Sequence, residues 1–294
     1  MKHLLITGAM GQLGQSFTAI AKQWPQFQFT FADKKLADIT NQLQMAALLR
    51  QLKPYAVINC AAFTNVDLAE QQPELAYAVN ATAVEQLAQL CRETNTLLVH
   101  FSTDYVFSGR QLDAGENQTP YTEQDLAEPL NVYGASKLAG EQAMLNIAPA
   151  GLILRSSWLY SAFGHNFARI IYNKIQQGLP LRVVADQIGS PTYAPELAAL
   201  CLKLLSADHF ATTQLLHCAG QGEASWYQVA QEIQKYTKQQ TTLTAISSNQ
   251  WQSAATRPSY SALSSQQLQK QFGLSLPAWQ QSLVTCLNKM GQSD

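Results

Sequence analysis

Two hydrophobic patterns alternate along the first half of the chain. Short stretches such as "HLLIT", "AVINCAA" and "TLLVHFST" are largely apolar at successive positions, as strands are when both faces are covered, and "FQFTFAD" is apolar at alternate ones. Between them, "QLGQSFTAIAKQW", "QLQMAALLRQL" and "PELAYAVNATAVEQLAQLCRET" carry apolar residues three and four apart, the spacing of a helix with one buried face. Pro73 opens the third of these, at a first-turn position where its missing N–H costs nothing. "YGASKLAGEQAML" and "GLILRSSWLY" continue the rhythm as helix and strand. Strand and helix in alternation predict an α/β fold built on a doubly wound parallel sheet. Residues 104–131 break the rhythm with an irregular polar stretch, too long for an ordinary connection and read as a functional loop. Beyond residue 155 the pattern loosens. "PELAALCLKLL", "WYQVAQEIQKYT" and "LPAWQQSLVTCLN" read as helices, "QLLHCA" and "TTLTAI" as short strands, and "SSNQWQSAATRPSYSALSSQQ" as loop with a helix onset. The division expected is a main sheet domain over 1–155 and a smaller α/β lobe over 156–294, with the chain free to cross back into the first.

Composition narrows the partners. With 294 residues the chain is long enough for a large core, and its formal net charge is −1 with no stripe of Lys or Arg, so nothing in it suits a phosphate backbone and no nucleic-acid partner is expected. No apolar run approaches the roughly 18 residues a spanning helix needs, and "MKHLLIT" meets Gly8 too soon for a signal-peptide core. We expect no membrane partner and a cytoplasmic protein. The five cysteines lie far apart without ligand spacing and read as small buried hydrophobes.

Chemistry enters at two places. Gly8, Gly11 and Gly14 fall where the first strand turns into a helix, the context in which glycine permits a tight turn and close approach to a pyrophosphate that the helix N-terminus then faces. Asp33 ends the second strand, where a carboxylate can accept from an adenosine ribose; Lys34 and Lys35 beside it suit a ribose 2′-phosphate. NADH and NADPH both stay open. Further on, Tyr133 is the one tyrosine followed four positions later by a lysine, Lys137. On a helix the two share a face, and a nearby ammonium favours phenolate, lowering the phenol pKa toward a range useful for proton transfer. Ser102 and Thr103 end the strand before that helix, where a hydroxyl can hold a carbonyl oxygen.

Taken in order, the three glycines, "NCAA" at 59–62, "STDYVF" at 102–107 and "YGASK" at 133–137 resemble the extended short-chain dehydrogenase/reductases. Within them, "AAFTNVDLAE", "HFSTDYVFSG", "PLNVYGASKLAGE", "LRSSWLY", "NFARI", "DQIGSPT" and "TRPSYSAL" make the chain similar to the dTDP-4-dehydrorhamnose reductase family over nearly its whole length. The resemblance implies a Rossmann-like fold and an NAD(P)H-dependent reduction of the C4 ketone of dTDP-4-dehydro-L-rhamnose to dTDP-L-rhamnose. It implies Tyr133 as general acid, Lys137 as the group that tunes it and holds the nicotinamide ribose, and Thr103 as the hydroxyl that orients the keto oxygen. Asp104 would stand beside the sugar and Trp158 would pack on it. Gly11, Gln12 and Leu13 would meet the pyrophosphate, Asp33 the adenosine ribose, Asp38 and Ile39 the adenine region, and Ala62, Phe63 and Thr64 would line the cofactor.

Two other readings share these residues. Sugar-nucleotide dehydratases and epimerases have the same fold and the Tyr/Lys pair, but the dehydratases carry Thr-Asp-Glu where this chain has Thr103, Asp104 and Tyr105, so the acid that elimination needs is missing. A reductase-like regulatory subunit without activity is the other reading; the joint presence of Thr103, Tyr133 and Lys137 argues against it. A homodimer fits the family. Some members bind Mg²⁺ at a dimer contact through acidic side chains, one of them from the first helix. Here that stretch is Gln15, Ser16 and Phe17, with no carboxylate, and no metal site is expected.

Overall fold

The computed structural model of the protein describes residues 1–109, 118–207 and 210–292. Its first half runs through β1 (Lys2–Thr7), α1 (Gln12–Ile20), β2 (Phe27–Ala32), α2 (Gln42–Leu52), β3 (Ala56–Asn59), α3 (Val66–Gln71), α4 (Pro73–Tyr77), α5 (Ala83–Glu93), β4 (Leu97–Thr103), α6 (Val132–Ile147) and β5 (Gly151–Ser156). The second adds β6 (Leu159–Tyr160), α7 (Phe167–Gln176), β7 (Leu181–Val184), β8 (Ile188–Gly189), β9 (Thr192–Tyr193), α8 (Ala194–Ala207), β10 (Thr213–His217), β11 (Ala224–Ser225), α9 (Trp226–Thr237), β12 (Leu243–Ile246), α10 (Gln266–Phe272) and α11 (Trp279–Met290). Helix starts are chemically marked. Asn41, Asn65, Asn131 and Asn166 each accept from the backbone N–H three residues on, satisfying one of the donors a first turn leaves free.

The central sheet has six parallel strands in the order β10-β5-β4-β3-β1-β2. Successive side chains point to opposite faces, and both faces are covered. Leu4, Ile6, Ile58, Val99, Phe101 and Leu154 pack with Phe17 of α1 and Leu197 and Cys201 of α8. The residues between them, Leu5, Val57, Leu98 and Ile153, pack with Met45 and Leu49 of α2, Leu87 of α5 and Met144 of α6. Each such side chain, fully buried, stabilises the fold by about 1.5–3 kcal/mol. Because β2 lies on one side of β1 and β3 on the other, the chain reverses direction there, and a crevice opens beyond the carboxyl ends of β1 and β3.

Several elements differ from the sequence expectation. "GLILRSSWLY" is not one strand: β5 ends at Ser156, Trp158 adopts φ +47°, and β6 leaves to pair with β9. The helix opened by Pro73 is interrupted by a π turn at Ala78–Thr82, which widens the coil between α4 and α5. The short α3 and the ten-residue α7 lie where no helix was read. α7 is amphipathic, burying Ala168, Ile171, Tyr172 and Ile175. After residue 155 the chain does cross the sheet again: α8 packs beside α1, and β10 forms the edge strand next to β5. α7, α9 and α11 gather around Tyr172, Val183, Ile233 and Leu287 as the core of the smaller lobe. Of the irregular stretch 104–131, residues 110–117 lie outside the described ones; the rest packs through Phe107 and Tyr121, whose rings stack at 4.1 Å. No helix among the described residues is long and apolar enough to cross a membrane.

One ion pair is sealed beneath α6. Arg155 of β5 donates Nε and Nη2 to the two Glu141 oxygens at 2.9 and 2.6 Å, its Nη1 lies 3.3 Å from His217 Nε2, and its guanidinium covers the Phe107 ring. Removing one partner leaves an uncompensated buried charge, which costs more than the pair contributes. Glu141→Ala is therefore expected to destabilise the fold by about 3–5 kcal/mol, read from the urea midpoint.

Candidate active site

At the carboxyl end of β1 the chain turns through Gly8, whose φ is +62°. A Cβ on Gly8 would stand 2.6 Å from the Ala61 nitrogen, and one on Gly14 would stand 2.5 Å from the Ala9 Cα. Only glycine lets α1 rest this closely on the strand ends. α1 begins at Gly11 with no side-chain cap and no acidic residue in its first turn, so its free N–H groups and positive dipole end present an anion site. That end forms one wall of a cavity of about 450 Å³, where Gly11, Gln12 and Leu13 meet Ala62 and Thr64 from beyond β3, Thr103 and Asp104 from β4, Tyr133 and Lys137 from α6, and Trp158.

The remaining predicted positions lie around this cavity in different ways. Asp33 lines a second cavity of about 640 Å³ with Ala9, Met10 and Phe31, and its Oδ1 accepts from the Leu36 N–H at 3.0 Å. Asp38 bonds Thr40, which holds its carboxyl below the usual range, and stands 3.8 Å from Lys34. Ile39 is in the apolar core with Met45. Neither Asp38 nor Ile39 lines these two cavities. Phe63 is held by its backbone: Asn80, on the π turn, accepts from its N–H and donates to its carbonyl, both at 2.9 Å. The π turn thus aims a side chain that fixes the loop Ala62, Phe63 and Thr64.

Tyr133 and Lys137 share the inner face of α6, as their spacing requires, yet they do not interact as that spacing suggests. Burial pushes the Tyr133 phenol up to about 12, with the Thr103 hydrogen bond opposing and the Asp104 charge adding. Burial also brings Lys137 down to about 8, against the pull of Glu141. Lys137 is turned away toward β4: Nζ donates to the Phe101 carbonyl at 2.6 Å and lies 3.1 Å from His100 Nε2. The expected lowering of the tyrosine by the lysine is corrected accordingly; desolvation outweighs it.

Asp104 is buried between hydroxyls. Ser261 donates to its Oδ2 at 2.5 Å and Thr103 to its Oδ1 at 3.2 Å; burial still lifts its carboxyl to about 6. Ser102 Oγ is buried on the cavity wall without a hydrogen-bond partner among the described residues, a polar atom suited to a ligand. Trp158 stacks on Trp226 with centroids 3.5 Å apart and planes 2° from parallel, so one indole face is already covered. Gly189 lies against the same indole, leaving no room for a Cβ. The cavity and its supports therefore include His100, Asn80, Ser261 and Trp226, which sequence reading passed over. A signal for His100 existed: a polar residue inside an otherwise apolar strand.

Comparison with known proteins agrees with this geometry. The family model described as the RmlD substrate binding domain matches residues 1–292. A dTDP-4-dehydrorhamnose reductase of Aggregatibacter actinomycetemcomitans is 35% identical over 292 residues, covering 96% of this chain and 97% of the relative. The chain belongs to the RmlD family of dTDP-4-dehydrorhamnose reductases. A Mycobacterium tuberculosis reductase of that family is 37% identical over 288 residues, with 97% and 92% covered. The crystal structure of the Bacillus anthracis reductase, in complex with NADP, superposes with a TM-score of 0.90 at 34% identity, covering 98% of this chain and all of that one. The family fold is the α/β sheet with Rossmann-type order described above. Among the described residues no group of three or more His, Cys, Asp or Glu side chains could hold a metal ion.

The Asp104 carboxyl gives a test of the site's electrostatics. Its folded pKa, about 6, is above the ordinary 3.8. Between those values the folded state keeps a proton that the unfolded chain has released, so this group's contribution falls as pH rises from 4 to 6 and is constant above. Asp104→Asn removes that loss while the amide oxygen, turned to the place of Oδ2, accepts from Ser261. The urea midpoint of the variant is expected to gain on that of the wild type from pH 4 to 6 and then to hold a constant lead.

Proposed function

We propose that this chain reduces the C4 ketone of dTDP-4-dehydro-L-rhamnose to dTDP-L-rhamnose, with NADPH or NADH as reductant. The observation that carries the reading is the meeting of Thr103, Tyr133 and Lys137 on the cavity wall reached by the uncapped N-terminus of α1. That cradle fits a dinucleotide: free N–H groups face the pyrophosphate position, the glycines leave no Cβ in the way, and Ser102 Oγ awaits a partner. A bound reduced nicotinamide supplies a hydride to the ketone carbon.

The chain supplies orientation and the proton. Gly11, Gln12 and Leu13 meet the pyrophosphate, with Gly8 and Gly14 shaping the turn. Asp33 takes the adenosine ribose, Asp38 and Ile39 border the adenine region, and Ala62, Phe63 and Thr64 line the cofactor. With substrate bound, the single Thr103 hydroxyl proton turns from Asp104 to orient the keto oxygen, and Tyr133 protonates the forming alkoxide. A phenol pushed up to about 12 keeps its proton at neutral pH, as a donor must. Lys137 holds the nicotinamide ribose. Asp104 and Trp158 contact the sugar. Dehydration lacks its acid: Tyr105 occupies the position, edge-on to Tyr133 at 6.0 Å, and burial drives its phenol up. Residues 1–155 act as the dinucleotide-binding domain and 156–294 chiefly as the substrate lobe, although α8 and β10 return to the main sheet. The reading extends to a cytoplasmic homodimer that needs neither nucleic acid, membrane nor Mg²⁺.

Absorbance of the reduced nicotinamide at its own band checks the reaction. Consumption is expected to be stoichiometric with dTDP-4-dehydro-L-rhamnose, with no dehydration of dTDP-glucose. Tyr133→Phe keeps the ring but not the proton, so it should still bind cofactor while turnover falls by ~10²–10⁴. Wild-type turnover in that variant overturns the assignment. Asp33→Ala should move the ratio of kcat/KM for NADPH over NADH upward, because the carboxylate repels a 2′-phosphate and bonds free ribose hydroxyls. An unmoved ratio places Asp33 away from the ribose.

A further inference from the structure

Three strands of the central sheet set a polar residue on the same face at the same level. Thr7, Asn59 and His100 are register partners across β1, β3 and β4, and none is more than 1% exposed. They lie on the face of Leu5, Val57 and Leu98, beside the apolar cluster under α2, α5 and α6. They pair in a line. Thr7 Oγ1 donates to Asn59 Oδ1 at 2.7 Å, and the Ala61 N–H donates to the same oxygen at 3.3 Å. A backbone N–H can only donate, which fixes the oxygen side of the amide. Asn59 Nδ2 therefore faces His100 Nδ1, at 3.2 Å. Since Nδ2 carries only hydrogens, Nδ1 is the bare, accepting nitrogen, and the neutral ring keeps its proton on Nε2.

That proton points at Lys137 Nζ, 3.1 Å away. A hydrogen bond across this gap needs a lone pair on Nζ, and an ammonium has none. We propose that His100, locked by Asn59 as the Nε2–H tautomer, is a positioning residue that donates to the neutral amine of Lys137 and so weakens the lysine's hold on its proton. Burial and the adjoining lysine keep His100 far below its usual range and hence neutral, and Lys137 itself lies near 8. The other groups around the lysine are occupied or uncharged. Glu141 favours the ammonium but is held by Arg155; Asp104 is held by Ser261; burial keeps Tyr133, Tyr105 and Cys60 protonated. On α3, Asp67 binds Arg257 and Glu70 accepts from the Val132 N–H. The ladder thus sets the pH above which the lysine loses its charge. Only this kinetic consequence rests on the reductase reading; the tautomer does not.

Long-range ¹H–¹⁵N correlation of the full-length protein labelled at histidine reads the tautomer directly, with His100→Gln assigning the signal. A protonated Nε2 and bare Nδ1, unchanged from pH 5.5 to 9, is expected. A proton on Nδ1, or a ring that titrates in that range, overturns the proposal. In Asn59→Asp the carboxylate only accepts, so the proton moves to Nδ1 and Nε2 offers its lone pair to the ammonium. The spectrum should invert, and the basic limb of kcat for ketone reduction should move up by about one pH unit. His100→Gln, whose amide can turn its oxygen to Nζ, should move the limb the same way and serves if Asn59→Asp does not fold. An inverted tautomer with an unmoved limb overturns the link to Lys137. A protein that reduces no keto sugar sinks the reductase reading instead, and the wild-type spectrum then decides the proposal.

Discussion

A parallel sheet covered on both faces has no water along its strands, and the organisation of this protein follows from that exclusion. Leu4, Leu5 and Ile6 of β1 are all fully buried although they point to opposite sides, so a polar side chain placed among such residues must find its partner on a neighbouring strand or helix. Hydrogen-bonding groups are accordingly concentrated where the strands end. Thr7, Asn59 and Thr103 are the last residues of β1, β3 and β4, and His100 lies three residues before the end of β4. The same apolar packing that fixes these strand ends raises Tyr133 and lowers Lys137 by removing water from them.

The second half of the chain secures this arrangement from outside. Residues 253–263 bond to three segments around the catalytic region. The Ala255 N–H and the Arg257 guanidinium reach Asp67 on α3, the Thr256 carbonyl accepts from the Asn131 cap of α6, and Ser261 holds Asp104. Asn131 therefore does two things with one amide: its oxygen caps the helix that carries Tyr133, and its nitrogen ties that helix to the C-terminal strap. Trp226, at the start of α9, stacks on Trp158 and couples the smaller lobe to the cavity wall. The side chains proposed to contact the substrate and to donate the proton are thus held by segments far apart in sequence, which suits a reaction that depends on orientation.

Much of the site was legible because its signals are local. The apolar runs, the glycine turn before α1 and the Tyr133/Lys137 interval are properties of short windows, and the resemblance to a reductase family rested on such windows in order. The π turn at Asn80 left no comparable mark: a helical pattern continues through it, and only the bonds from Asn80 to Phe63 and Ser136 show why the coil widens. α7 was passed over although its apolar residues recur at helical spacing and Asn166 caps it.

Sequence by itself determined the strands of the central sheet, most of the longer helices, where the chain must turn at Gly8, and which residues carry hydroxyl, phenol and ammonium groups, because backbone preference and hydrophobic period act over a few residues. Tertiary structure alone decided that β10 closes the sheet beside β5, that Trp158 spends a face on Trp226, that Ser261 meets Asp104 across 157 positions, and that Lys137 turns to His100 across 37. Those outcomes depend on which groups burial brings together without water, and a buried polar group takes its state from its partner, however far along the chain that partner lies.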